Sequence, residues 1–207
     1  MKGANKRRLI IAAILVVGVA MAYMWQYNLG PFRGGAVAGV RNGHIRVDHG
    51  FDHFRMDHVN LLLPYRGGVS YNFYGQGVMV YIAYFERDEL VLHERVGGIS
   101  TGEPYRFSGS MIWGVTTEDT ARRELRARVG MNGAVGFGYF DFSQIDFEPA
   151  STISAPLSIA DGPIEPGRRY PLHIWQTGGS WWVDRDVFLP ERLRENEKTI
   201  ILYIVFE

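Results

Sequence analysis

Histidine and aspartate recur within one short segment of this chain, and imidazole and carboxylate together suit zinc or another divalent cation. Four of the six histidines fall between residues 44 and 58, and three of these four directly follow an aspartate. The candidate metal ligands are His49, His53, His58 and Asp52. On a helix, His49 and His53 would share one face. Such a set predicts a metal-dependent hydrolase as one alternative function.

The backbone that these ligands need is not the one that the local sequence favours. Gly50 would interrupt a helix, and apolar residues alternate at positions 45/47 and 54/56, as they do in strands. Neighbouring side chains of a strand point to opposite faces, so strands would scatter the ligands. A second interpretation is therefore a polar, partly solvated segment at the entry into the first sheet, without a cofactor. A third is a pH-responsive contact near the membrane, since clustered imidazoles change charge between about pH 5 and 7.

A second pattern with catalytic spacing is Gly98-Ile99-Ser100-Thr101-Gly102, which matches the G-x-S-x-G pattern of serine hydrolases. That nucleophile elbow needs a strand before the serine and a helix after it. Glu103-Pro104 follows instead, and no helix is predicted there. The segment is predicted to be a turn of small residues, and no catalytic residue is assigned.

Tryptophan side chains form a candidate binding site. Gly178-Gly179-Ser180 leads into Trp181 and Trp182, and Trp175 lies shortly before this loop. Exposed aromatic faces stack on sugars and are enriched at protein contacts. Adjacent strand residues point to opposite faces, so only one of the paired tryptophans need be exposed. These three residues predict binding of another protein or, alternatively, of cell-envelope glycan.

Glycines alternate with larger residues at positions 133–138, but their order does not match a dinucleotide-binding fingerprint. Alternate glycines in a strand make room for bulky neighbours or a bulge. Phe137 and Tyr139 are among the aromatic residues expected to use that room. No ligand is assigned to this segment.

The amino-terminal segment determines where such residues work. Lys2, Lys6, Arg7 and Arg8 precede residues 9–27, which carry no charge. Nineteen helical residues span about 28 Å, close to the hydrocarbon core of a bilayer. The predicted membrane anchor includes Leu9, Ile14, Val17 and Trp25. A cleaved signal peptide is the alternative, because Ala20-Met21-Ala22 fits the small-x-small cleavage pattern.

Both interpretations give the same topology, since Lys and Arg stay on the cytoplasmic side. Residues 1–8 are then a cytoplasmic tail, 9–27 the anchor, 28–43 a flexible Gly-rich stalk and 44–207 one extracytoplasmic domain. Four of the 22 Lys and Arg residues precede residue 9, which leaves 18 against 22 Asp and Glu. A formal charge near −4 disfavours nucleic acid as a partner.

The chain contains no cysteine, which excludes disulfides and thiolate chemistry and fits an exported bacterial protein.

The strand patterns of the chain predict an all-β fold. Residues 78–85 are apolar on both faces, as in a central strand. Residues 86–89 predict a charged hairpin loop, and Asn132-Gly133 is a preferred type I′ turn pair. Three Gly-Gly pairs, at 67–68, 97–98 and 178–179, are predicted to separate strands. Residues 150–169 predict a long Pro/Gly loop.

Together these patterns predict an antiparallel β-sandwich, jelly-roll or immunoglobulin-like, behind a transmembrane helix, with a barrel as the alternative. The predicted function is a protein-interaction module of the cell membrane, either an accessory subunit of a membrane complex or an envelope assembly factor. The predicted partners are membrane lipid through residues 9–27 and another membrane or envelope protein.

Overall fold

The computed structural model describes residues 2–33, 37–47, 65–115, 124–131, 134–145, 153–156, 161–179 and 186–207. The strands are β1 (His44–Val47), β2 (Tyr65–Glu86), β3 (Glu89–Val115), β4 (Glu124–Met131), β5 (Ala134–Asp141), β6 (Ile153–Pro156), β7 (Gly162–Pro163), β8 (Arg169–Thr177) and β9 (Lys198–Phe206). The helices are α1 (Lys2–Gln26) and α2 (Pro190–Leu193), with 3-10 turns at Gly30–Phe32 and Phe142–Gln144.

The amino-terminal helix α1 is long and apolar enough to cross a membrane. The helix has 25 residues, and its first turn contains no acidic residue. The predicted anchor residues Leu9, Ile14, Val17 and Trp25 are each more than half exposed. The helix therefore buries none of its apolar side chains in the β-sheet, as a membrane-spanning segment requires.

The strands form one nine-stranded sheet with the path β5-β4-β3-β2-β9-β8-β6, and β1 pairs with both β2 and β7. Every pairing among the described strands is antiparallel. The path is open, with β5 at one end and β6 at the other. The prediction of an antiparallel all-β fold behind an apolar helix is confirmed at this level.

Strand β2 organises the sheet because it is shared by three neighbours. It pairs with β3 along its whole length. On its other edge it pairs first with β1, from Val69 to Asn72, and then with β9, from Val78 to Glu86. Residues 78–85 thus lie between β3 and β9, which confirms the predicted central strand. The change of neighbour falls at Gly75 and Gly77, where the β2–β3 register also shifts.

Two of the three predicted Gly-Gly breaks lie inside strands instead of between them. Gly67 and Gly68 belong to β2, and Gly97 and Gly98 belong to β3. A Cβ at Gly67 would lie 2.6 Å from the Trp113 ring, so this position serves side-chain packing and not a turn. Gly98 has a φ of +150° and lies beside a register shift of the β2–β3 ladder. The prediction of turns at these two pairs was wrong.

The two hairpin predictions are confirmed by the strand register. Glu86 pairs with Glu89, which leaves Arg87 and Asp88 as the connection. Met131 pairs with Ala134, so the connection between β4 and β5 is the predicted two-residue one. The predicted loop 150–169 is not wholly irregular, because it contains β6 and β7 and the first residue of β8.

The main hydrophobic core joins strands from both ends of the sheet path. The Phe142 ring, just after β5, lies 5.5 Å from the Trp175 ring of β8. Trp113 of β3 lies 6.4 Å from the same ring. A smaller cluster on the opposite face of β2, β8 and β9 is covered by Val187 and Leu193. The sheet therefore curls so that its two end regions face each other across one interior.

Candidate interaction surface

The β4–β5 hairpin displays an apolar stripe on its outer face. The exposed fractions are 40% for Val135, 79% for Phe137 and 74% for Tyr139. These three residues alternate along β5, so they share one face of the strand. We call them the β5 stripe. Large apolar side chains this exposed, in a row, are typical of contact sites.

Close backbone packing beneath β5 keeps these side chains outside. A Cβ at Gly138 would overlap the carbonyl oxygen of Val96, and one at Gly136 would lie 3.3 Å from the Gly98 oxygen. The inner face of β5 thus lies directly against the backbone of β3. The space left by the glycines is filled by that backbone, so the prediction that Phe137 and Tyr139 fill it was wrong.

Strand β5 is also an end of the sheet path and pairs only with β4 among the described strands. Its first charged residue is Asp141, its last position. Edge strands are normally protected from further pairing by charges, prolines or a covering segment. On β4, the exposed Arg126 lies opposite Tyr139 and adds a cation beside the stripe. The arrangement suits an apolar, extended segment of another protein.

A second part of the same outer face is covered by the chain itself. Residues 37–43, which we call the docked segment, lie on the Asn72 and Ser108 side chains. Asn72 donates from Nδ2 to the Val40 oxygen at 2.6 Å and to the Val37 oxygen at 3.1 Å. The Val37 amide donates to Ser108 Oγ at 2.7 Å, and Ser108 Oγ donates to Asn72 Oδ1. Val40 is 2% exposed as a result.

The same contacts extend to the end of α1. Asn28, two residues beyond the helix, is buried and has a φ of +56°, in the left-handed region that asparagine tolerates. Its Nδ2 donates to the Val40 oxygen at 2.8 Å. Arg106 Nη2 donates to Asn28 Oδ1 at 2.7 Å and to Asn42 Oδ1 at 2.8 Å. The Gly39 amide donates to the Tyr27 oxygen at 2.9 Å.

The described part of residues 28–43 is therefore bound to the sheet, unlike the flexible stalk that its glycines predicted. The physical reason is that polar partners on β2 and β3 satisfy its backbone groups. Sequence inspection missed Asn72 and Arg106 because a polar residue in an alternating strand reads simply as solvent-facing.

An aromatic cluster lies on the face of the smaller core. Tyr81 stacks on His93 at 5.1 Å and on Tyr203 at 5.5 Å, and His93 Nε2 hydrogen-bonds the Tyr203 hydroxyl. The Arg169 guanidinium lies 5.8 Å from the Tyr203 ring and 5.1 Å from the Phe188 ring. Burial raises the pKa of Tyr203, against the opposing effect of Arg169. The rings stack on one another, so the cluster is a packing unit.

Trp175, one of the predicted binding residues, lies in the core. It is 3% exposed, and its ring is 4.3 Å from His173 and 5.5 Å from Phe142. Burial lowers the pKa of His173 from 6.5 to about 3, so this imidazole is neutral at physiological pH. Trp181 and Trp182 lie outside the described residues, and their binding role stays a prediction.

The predicted metal ligands His49, His53, His58 and Asp52 likewise lie outside the described residues. Within the described ranges, no group of three His, Asp or Glu side chains is placed to hold a metal ion. His44, the first histidine of that segment, lies in β1 with Nδ1 2.9 Å from the Asn42 oxygen. Ser100 lies inside β3, with strand on both sides, so no helix follows it as a nucleophile elbow requires.

Comparison of the chain with protein-family models, with curated proteins and with solved structures finds no match.

Proposed function

We propose that the protein is a membrane-anchored, extracytoplasmic β-domain that holds a partner protein through the β5 stripe. The observation that carries the proposal is an edge strand, uncharged up to Asp141, with Phe137 and Tyr139 about three-quarters exposed. Exposed sheet edges recognise extended segments by β-strand addition, in which main-chain hydrogen bonds supply affinity and alternate side chains supply specificity. An accessory subunit or envelope assembly factor would act in this way.

Two features support the membrane placement. Helix α1 has the length and apolar composition of a single span, and its basic residues lie at the amino-terminal end, which favours an inside amino terminus. The absence of cysteine suits folding outside the cytoplasm without oxidative assistance.

For the domain we favour a sandwich over a barrel, because Phe142 and Trp175 meet across the core while the sheet path stays open.

The chemistry of the stripe favours protein over glycan. Sugar sites combine an aromatic face with convergent hydrogen-bonding side chains that fix the hydroxyl groups. Between the stripe residues lie only Gly136 and Gly138, whose Cα atoms face β3. A phenylalanine at the centre offers no hydrogen bond, which leaves the Tyr139 hydroxyl and the neighbouring Arg126 as the polar groups of this surface. The stripe therefore matches an apolar strand better than a polyol.

The cysteine-free chain allows a direct test by single-cysteine labelling. A photoactivatable group attached at Val135→Cys, which leaves Phe137 and Tyr139 in place, should yield one discrete protein adduct in native membranes. Val91→Cys is the matched control, because Val91 is 52% exposed on β3, away from the stripe. An adduct of twice the chain mass would identify a second copy as the partner. Equal adducts at both positions, or none at either, would refute the proposal.

The topology needs its own measurement. A membrane-impermeant maleimide should label Val91→Cys in intact cells of the native organism, stripped of any outer barrier. Labelling only after lysis would show that the β-domain lies in the cytoplasm, and the extracytoplasmic assignment would then be withdrawn.

A further inference from the structure

Three arginines follow the carboxyl end of α1 in the sequence, ahead of the first acidic residue. Residues 9–47 contain Arg33, Arg41 and Arg46, and the first Asp or Glu of the whole chain is Asp48. Arg33 and Arg41 are exposed, whereas Arg46 is half-buried. We call these three residues the arginine collar.

The docked segment fixes the collar next to the end of the helix. The Gln26 side-chain oxygen, oriented toward Arg41, accepts from its Nε at 2.6 Å and from its Nη2 at 2.9 Å. Gln26 is the last residue of α1. The Arg33 amide donates to the Gly30 oxygen at 3.3 Å and closes the 3-10 turn that follows the helix. Both exposed guanidinium groups are therefore carried by backbone held close to the helix end.

This position corresponds to the headgroup layer when α1 spans a bilayer. Tyr23 and Trp25, in the last turn, are 55% and 61% exposed, and such rings favour the membrane interface. Guanidinium groups bind phosphate oxygens in a bidentate manner, and a cation is favoured near the carboxyl end of a helix. The depth, the charge and the hydrogen-bonding geometry all fit one ligand class.

We propose that the arginine collar binds the phosphates of anionic phospholipids in the leaflet next to the β-domain. The inference rests on the membrane placement of the proposed function but not on the β5 stripe. Lipid is favoured over a free anion because Arg33 and Arg41 lie on backbone next to a helix end that would be at headgroup depth in a bilayer. Arg33 and Arg41 are the exposed members of the collar, whereas Arg46 is half-buried. Arg33 and Arg41 are therefore the residues to test.

The experiment places the full chain in nanodiscs of equimolar phosphatidylcholine and phosphatidylglycerol. In this background Lys2, Lys6, Arg7 and Arg8 are changed to glutamine, so that the opposite end of α1 attracts no anionic lipid. Native mass spectrometry then counts the lipids that stay bound. We expect phosphatidylglycerol to be enriched, and Arg33→Gln/Arg41→Gln to reduce the enrichment by about fivefold for each arginine. Arg33→Lys/Arg41→Lys should keep the part of the enrichment that comes from charge and lose the part that comes from bidentate hydrogen bonds.

The matched control is Arg87→Gln/Arg95→Gln, which removes two exposed arginines on the part of the β2–β3 hairpin far from the docked segment. Equal enrichment in the Arg33/Arg41 glutamine variant and this control would overturn the collar. Displacement of the lipid by added inorganic phosphate would also overturn it, in favour of a soluble anion. A chain that fails to enter these nanodiscs would overturn the membrane placement itself, whereas insertion without enrichment would overturn the collar alone.

Discussion

The docked segment and the β5 stripe occupy the same outer face of the sheet, but the face is covered by the chain at the first and exposed at the second. The register from β2 through β5 places Asn72, Ser108, Arg126 and Tyr139 on one side. Where the chain covers this face, Asn72 and Ser108 satisfy the backbone of residues 37–43. Where β5 forms this face, Val135, Phe137 and Tyr139 are exposed and the strand is uncharged up to Asp141.

This difference indicates what each region is for. A polar surface under a chain segment is complete, because its hydrogen bonds are made within the molecule. An apolar stripe on a sheet edge gains free energy only when another surface covers it. The open region is therefore the better candidate for a partner, and the covered region is the attachment of the domain to its helix.

Acid should lower the free energy of unfolding through His173, which lies in the core beneath both regions. His173 has a pKa lowered to about 3 by burial, against 6.5 when exposed, so the unfolded chain binds a proton that the folded chain does not. Stability contributed by this site should fall by about 1.4 kcal/mol per pH unit below 6.5, up to roughly 5 kcal/mol. Urea unfolding at several pH values measures the slope. The slope should flatten in His173→Gln; an unchanged slope would contradict the buried neutral imidazole.

A charge in the middle of α1 should release the chain from the proposed membrane. Val17→Arg places an arginine at the helix centre and should cost about 3 kcal/mol of insertion free energy. Membrane flotation of the expressed chain measures the retained fraction. Leu9→Arg, beside the basic tail, is the control and should be retained like the wild type. Retention of both variants to the same extent would mean that α1 does not span.

A methyl group beneath the stripe should displace β5. Gly138→Ala places a Cβ onto the Val96 carbonyl oxygen, and overpacking of this kind costs about 3 kcal/mol at its upper range. Gly102→Ala is the control, since a Cβ there meets nothing within 4 Å. Urea midpoints compare the two variants. Equal midpoints would show that β5 does not lie against β3 as described.

Removal of the Asn72 side chain should open the covered region while leaving the stripe intact. Asn72→Ala leaves the Val37 and Val40 oxygens without this donor, at a cost of about 2 kcal/mol. Hydrogen exchange at Gly39 and Gly43 should accelerate, whereas exchange in β5 should not change. Acceleration throughout the sheet would instead indicate global destabilisation and would contradict local docking.

A polar residue in the stripe should affect binding but hardly affect folding. Phe137→Ser removes a side chain that is 79% exposed, so the free energy of unfolding should change by less than about 0.5 kcal/mol. The partner adduct, measured with the photoactivatable group at Val135→Cys, should be lost. A large loss of stability would place Phe137 in a packing role and weaken the proposed interface.

Local sequence patterns were sufficient for elements whose causes are local. The apolar run at 78–85 and the Asn132-Gly133 pair specified a central strand and a hairpin because side-chain period and turn conformation act over a few residues. Gly67 and Gly138 could not be interpreted in this way. Their requirement for glycine comes from Trp113 and from the Val96 oxygen, which only the fold brings close.

The docked segment was unpredictable for the same reason. Arg106 reaches Asn28 over a separation of 78 residues, and no local pattern announces that bond. The burial of Trp175 was equally hidden, because β8 is covered on both faces and an apolar strand does not show which side packs against what. The β5 stripe was visible as an alternation of glycine and aromatic residues, but its outward orientation depends on the backbone of β3.

The bond between Arg106 and Asn28 has a mechanical consequence. A slack tether would absorb any tilt of the helix before it reached the domain. If α1 spans a bilayer as proposed, the hydrogen bonds that join Tyr27 and Asn28 to residues 37–43, and those that join this segment to Asn72, would transmit a tilt of the helix to the β2–β3 ladder. A partner seated at Phe137 would thus be turned whenever the bilayer turns the anchor.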